Sequence, residues 1–186
     1  QSRLVEPIEE FLSQETDVIP VFIHGSFVES ISDPLALGTA TKLATAAGLR
    51  SVPSFGFNRC VQPGVKDYLY SYTGQIAAEN LTQLNEYLNY TTPAFATVSM
   101  SGTYNAGTRL LTLDVQGTRV SDFQNFFGNG PLTIYLTEDN VNGQNHVLRK
   151  IMTAPLGNEI TWNGSNGLSF RQNRRLTLDK EWGPAN

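Results

Sequence analysis

Ile19-Pro20-Val21-Phe22-Ile23-His24-Gly25, then a helical segment, then Gly48-Leu49-Arg50-Ser51-Val52-Pro53-Ser54-Phe55-Gly56-Phe57-Asn58-Arg59, is the stretch that decides the fold. The first run is short, continuous and apolar and ends in glycine, as a strand buried on both faces of a sheet does. The helix is predicted to open at Asp33-Pro34, a capping residue followed by proline at the first helical position. Ala36, Ala40, Leu43, Ala44 and Ala47 share one helical face, and Gly48 stands where a left-handed C-terminal cap belongs. Strand, helix and second strand make a βαβ unit, whose crossover is right-handed. Val52-Pro53 precedes the second strand, a position proline tolerates because it has no N–H for the ladder. A cis bond suits a tight turn there while the base rate favours trans, and the residues alone leave that choice open.

Working outward, Leu4, Ile8, Phe11 and Leu12 give residues 1–14 an apolar helical stripe. Val61-Gln62-Pro63-Gly64 is a turn signal. Tyr68, Tyr70 and Tyr72 alternate with other residues, as in either a last strand of the first sheet or an extra loop. A helix is expected over 77–88, with Ala77, Leu81, Leu84 and Leu88 on one face, and Thr91-Thr92-Pro93 breaks it. From Phe95 the period changes to two. Val98 and Met100, then Leu111, Leu113 and Val115, alternate with polar residues on either side of Tyr104-Asn105-Ala106-Gly107, which reads as a hairpin. Leu132, Ile134 and Leu136, the run 147–152 and the run 170–178 supply further strands. Short strands separated by Gly and Asn turns indicate an antiparallel sandwich. The change of period places a domain boundary at Thr92-Pro93.

The chain has 186 residues, 40% of them hydrophobic, which allows one large domain or two small ones. Thirteen basic against 17 acidic residues, for a net charge of −4, argue against nucleic-acid binding, which needs concentrated Lys and Arg. Two histidines and one cysteine match no zinc pattern. The loop 138–143 lacks the closing Glu of a calcium loop and reads as a polar hairpin. No nucleophile elbow, phosphate-binding glycine loop or Cys-x-x-C appears, so no catalytic residue, metal or cofactor is assigned. Cys60 reads either as a buried free thiol or as half of a disulfide to a flank beyond these residues. His24 ends a strand, where α/β folds bind ligands, but a hydrogen-bonded histidine that fixes the following loop is the favoured reading. His146 reads as structural or exposed. Phe123, Phe126 and Phe127 lie close together, either as an aromatic anchor for a partner or, preferred, as a plug for the end of the core.

Several of these motifs in this order resemble a known family. Ile23-His24-Gly25, Val52-Pro53-Ser54, Asn58-Arg59, Leu132-Thr133-Ile134-Tyr135-Leu136-Thr137-Glu138-Asp139 and Asn145-His146-Val147-Leu148-Arg149 together resemble the outer-membrane protein family of Bacteroidota named for a twenty-eight-kilodalton Omp antigen. The resemblance covers nearly the whole chain. It implies an α+β fold: an incomplete thioredoxin-like α/β domain over 1–92, lacking its first strand and Cys-x-x-C turn, then an antiparallel β-sandwich over 93–186 lacking its last strand. It implies that His24, Val52 and Pro53 form a structural cis-proline site. It also implies export to the outer membrane, cell surface or periplasmic face, with a lipid anchor outside these residues. The expected function is a non-catalytic binding module, or an accessory subunit of an outer-membrane assembly, with a protein partner or a surface ligand. The alternative is a thiol–disulfide oxidoreductase whose Cys-x-x-C lies upstream of residue 1.

Overall fold

The computed structural model describes residues 18–26, 33–49, 52, 54–56, 70–71, 94–164 and 166–182. Among these, strands predominate over two short helices. The chain divides into two compact units, residues 1–92 with 144–147, and residues 93–143 with 148–186.

In the first unit the run 19–25 is not a strand hidden on both faces. Ile19 is 88% exposed and Ile23 40%. Phe22 makes one isolated parallel bridge, to Val147, and its N–H donates to the His146 carbonyl at 2.9 Å. Among the described residues this is the run's single bridge, and the Leu37 N–H donates to the His24 carbonyl at 3.0 Å. Helix α1 spans Ala40–Ala46 and so begins later than Asp33-Pro34. Asp33 instead closes a turn: its Oδ1 accepts the Leu35 N–H at 2.9 Å and its carbonyl accepts the Ala36 N–H at 3.0 Å. Aspartate followed by proline serves such a turn as well as it serves a helix start, so the pair alone does not separate the two. The inward face of α1 matches its sequence pattern, with Ala40 buried and Leu43, Ala44 and Ala47 half-buried. Gly48, at φ +70°, ends the helix. Leu49 N–H reaches the Ala44 carbonyl at 2.8 Å and Gly48 N–H the Thr45 carbonyl at 3.1 Å, the paired bonds of a Schellman cap. Strand β1 (Ser54–Phe55) pairs antiparallel with β2 (Tyr70–Ser71), so the tyrosine-rich run contributes a strand. The helices expected at 1–14 and 77–88, Pro53 and Cys60 lie outside the described residues.

The second unit is built on a long hairpin. Strands β3 (Ala96–Asn105) and β4 (Leu110–Arg119) pair antiparallel over ten residues without a bulge. The turn falls at 106–109, two residues later than the sequence reading, with Asn105 Oδ1 accepting the Thr108 N–H at 3.0 Å and Arg109 at φ +54°. Four shorter strands follow: β5 (Pro131–Leu132), β6 (Tyr135–Glu138), β7 (Val147–Ile151) and β8 (Asn158–Glu159). Strand β9 (Ser169–Thr177) then joins the far side of β4, giving the order β3-β4-β9. The alternating run 132–136 is split between β5, which pairs with β8, and β6, which pairs with β7.

The core joins the inward side chains of this sheet to the following segment. Leu113, Val115 and Phe170 pack with Leu132 and Ile134, and Leu111, Met152, Ile160 and Trp162 close around them. Helix α2 (Phe123–Phe127) brings Phe123 against Trp162 with ring centroids 5.5 Å apart, and Trp162 meets Phe170 edge-on at 5.3 Å. The Arg119 guanidinium lies 4.6 Å from the Trp162 ring centroid. Gly117 is needed where β4 passes Phe170. A Cβ there would stand 2.1 Å from the Thr97 carbonyl oxygen and 2.6 Å from the Phe170 ring.

Candidate functional site

The register of β3-β4-β9 sorts its residues into two faces. On the outward face four rows across the sheet are Thr97, Thr118 and Ser169; Ser99, Gln116 and Arg171; Ser101, Asp114 and Asn173; and Thr103, Thr112 and Arg175, and all twelve of these residues are polar. A fifth row at the hairpin end, Asn105, Leu110 and Thr177, includes one apolar residue. Period-two alternation produces such a face when one side of an antiparallel sheet meets solvent. A groove of about 510 Å³ runs over the first two rows, lined by Thr97, Ser99, Gln116, Thr118, Ser169 and Arg171 among others. Thr97 and Thr118 hydroxyls hydrogen-bond across the strands at 2.7 Å. Arg171 Nε donates to both Asp114 oxygens, at 2.9 and 3.0 Å, and its Nη2 reaches Oδ2 as well. The Arg171 hydrogen bond, with its charge, holds the Asp114 carboxyl below the usual carboxylate range, and Asp114 in turn raises Arg171. The pair fixes a guanidinium edge beside hydroxyls and an amide. That set can hold a polar ligand by hydrogen bonds. It contains no nucleophile with an adjacent base.

The first unit holds the second constellation. His24 Nδ1 lies 2.7 Å from Asp33 Oδ2, and its Nε2 lies 2.9 Å from Gln144 Oε1. His24 therefore has a carboxylate partner nine residues on, which the sequence reading did not assign, and an amide partner 120 residues away that local spacing could not reveal. Partial burial raises the Asp33 carboxyl, but the His24 hydrogen bond, the Leu35 N–H and the His24 charge outweigh it and leave the group lowered. The Leu37 N–H also donates to the His24 carbonyl at 3.0 Å. The imidazole thus ties the 33–37 turn to the segment 144–147. The oxygen beyond its outer nitrogen belongs to an amide, which a base cannot activate as a nucleophile. Val52 is 40% exposed, while Pro53, its peptide bond and Cys60 fall outside the described residues. His146 takes φ +56° just before β7. The loop after β6 places Asn140, Asn142 and Gly143 at positive φ, as a tight polar hairpin connection requires. Glu138 meets Arg149 at 3.1 Å across β6 and β7.

No family model and no curated protein matches the chain. A solved structure does. The fold is similar to that of HBP35 of Porphyromonas gingivalis. The TM-score is 0.56 at 21% identity, over 76% of this chain and 46% of that one, so the chain spans about half the length of HBP35. The likeness bears on fold, and HBP35 comes from a member of the Bacteroidota. Among the described residues no helix is long and apolar enough to cross a membrane.

Proposed function

We propose that this chain is a non-catalytic binding module of the outer membrane or cell surface, acting alone or as an accessory subunit of an outer-membrane assembly. The observation that carries this reading is the outward face of β3-β4-β9, twelve polar side chains in four registered rows with a groove over two of them. Such a face offers many hydrogen bonds and no reacting pair. Its ligand is polar, presenting hydroxyls, amides or a carboxylate to Gln116, Thr118 and Arg171.

The finer placement belongs to the same proposal: membership in the twenty-eight-kilodalton Omp family, a thioredoxin-like first unit, a β-sandwich second unit, and a lipid anchor outside these residues. The likeness to HBP35 and the core shared by Leu113, Val115, Leu132 and Ile134 support it. The competing activity is thiol–disulfide exchange, which needs an attacking thiolate and a resolving partner. Incubating the intact protein with a disulfide substrate, beside a variant without cysteines, separates the two readings. We expect equal, background rates. Cysteine-dependent turnover would falsify the binding-only reading.

A further inference from the structure

Among the described residues strand β3 is an unprotected edge, since no described strand pairs with its far side. Proteins usually blunt such an edge by shortness, by charge, by proline or by a bulge. Here the edge is ten residues long, its sequence Ala-Thr-Val-Ser-Met-Ser-Gly-Thr-Tyr-Asn has no charge and no proline, and its register is unbroken. Its inward column is apolar yet uncovered: Val98 is 60% exposed, Met100 61% and Tyr104 49%. The opposite edge of the sheet is different. Strand β9 carries Arg171, Arg174 and Arg175, which repel a second β9.

We propose that β3 pairs antiparallel with β3 of a second copy of this chain, about a two-fold axis at Met100, to form a continuous six-stranded sheet. Two observations select a second copy as the occupant. An uncharged strand meets no like charge in its own copy, whereas β9 against β9 would oppose arginines. The sequence is also complementary to itself in this register. Val98 falls opposite the partner's Gly102 and Tyr104 opposite the partner's Ala96, large against small. Thr97 falls opposite the partner's Thr103 and Ser99 opposite the partner's Ser101, hydroxyl against hydroxyl, a favourable cross-strand pairing. The apolar columns of the two copies then adjoin, and the pairing closes because a two-fold interface is isologous. The interface uses the backbone edge of β3; Thr97 and Ser99 also line the groove, but the ligand reading is carried by Gln116, Thr118 and Arg171 on β4 and β9, so the two are tested separately.

The test is the mass of the full chain in solution across a concentration series, by light scattering or sedimentation. We expect a species of twice the 20.5 kDa chain mass that dissociates on dilution. Val98→Lys combined with Met100→Lys should weaken association at least tenfold while far-UV circular dichroism and tryptophan fluorescence stay unchanged, since both side chains are mostly exposed. Arg171→Ala should leave association unchanged. In a Cys60→Ser background, Met100→Cys should cross-link under mild oxidation, because residues opposed across an antiparallel pair have Cα atoms about 4.5–5.5 Å apart, within disulfide reach. Thr97→Cys lies off the axis and should not cross-link. A monomer at all concentrations, open-ended polymers, a double lysine variant that still dimerises, or equal cross-linking at Thr97 would each overturn the proposal.

Discussion

Replacing Phe170 with alanine should unfold much of the second unit's stability at one position. Phe170 is 4% exposed, packs with Leu113, Val115, Leu132 and Ile134, and takes the Trp162 edge at 5.3 Å. Deleting a buried phenylalanine ring costs about 3–5 kcal/mol, through lost transfer energy and the cavity left behind. Roughly 0.5–1.5 kcal/mol of a loss this size reflects the aromatic pair. Domains are stable by about 5–15 kcal/mol, so the variant approaches the threshold of folding. At about 4–8 °C per kcal/mol for a unit of this size, the midpoint should fall by at least about 12 °C. Both tryptophans, Trp162 and Trp182, lie in the second unit, so tryptophan fluorescence follows its melting without interference from the first. Phe170→Leu keeps most of the volume and should lose roughly 1–2 kcal/mol. Leu156→Ala, on a side chain that is 47% exposed and outside β3, is the control. A Phe170→Ala midpoint within about 4 °C of that control would mean that Phe170 is not at the centre of the core.

Three further outcomes follow from the same structure. Gly117→Ala should abolish folding of the second unit, because its Cβ would collide with the Thr97 backbone oxygen, whereas Gly107→Ala, which meets only Asn105 Oδ1 at 3.5 Å, should fold normally; expression and fluorescence of the pair decide this. Asp33, lowered in the folded chain, binds fewer protons there than when unfolded, so its contribution is complete above about pH 3.9 and is lost as pH falls through the folded value. A carboxyl NMR titration should place its midpoint below the free-aspartate value, and a midpoint at or above that value contradicts the His24 contact. The Asp114 carboxyl should also titrate low by NMR and return to the ordinary range in Arg171→Ala; an unchanged midpoint would show that Arg171 does not hold it.

Much of the second unit is legible in the sequence because a half-buried antiparallel strand writes its burial into alternate residues. Leu111, Leu113 and Val115 against Thr112, Asp114 and Gln116 show which face of β4 points inward. The same alternation in β3 misleads by itself, since Val98 and Met100 look like core residues but remain exposed. Periodicity reports which side chains share a face, not whether anything covers that face. In the first unit the apolar run 19–25 reads as doubly buried because continuous apolarity is the only local signal of that state, and exposure of Ile19 contradicts it. The C-terminal cap at Gly48 was legible, as few residues but glycine accept φ +70°. The start of α1 was not, because Asp33-Pro34 fits a turn and a helix equally. The His24 contact with Gln144 spans 120 residues and has no local trace. The polar face was visible strand by strand, but its rows exist only once β9 is placed beside β4, across a separation of fifty residues or more.

The most direct test of the account is capture of ligand from an outer-membrane extract of a Bacteroidota species, the setting that the proposed function implies. Wild-type protein is compared with a Gln116→Ala, Arg171→Ala variant whose melting curve is unchanged. Losing a hydrogen bond to a charged group costs about 1.5–3 kcal/mol, which is roughly tenfold or more in affinity. The account predicts a specific bound component on the wild type that falls at least tenfold on the variant. Equal recovery on both proteins would contradict the assignment of the outward face of β3-β4-β9 as the binding surface.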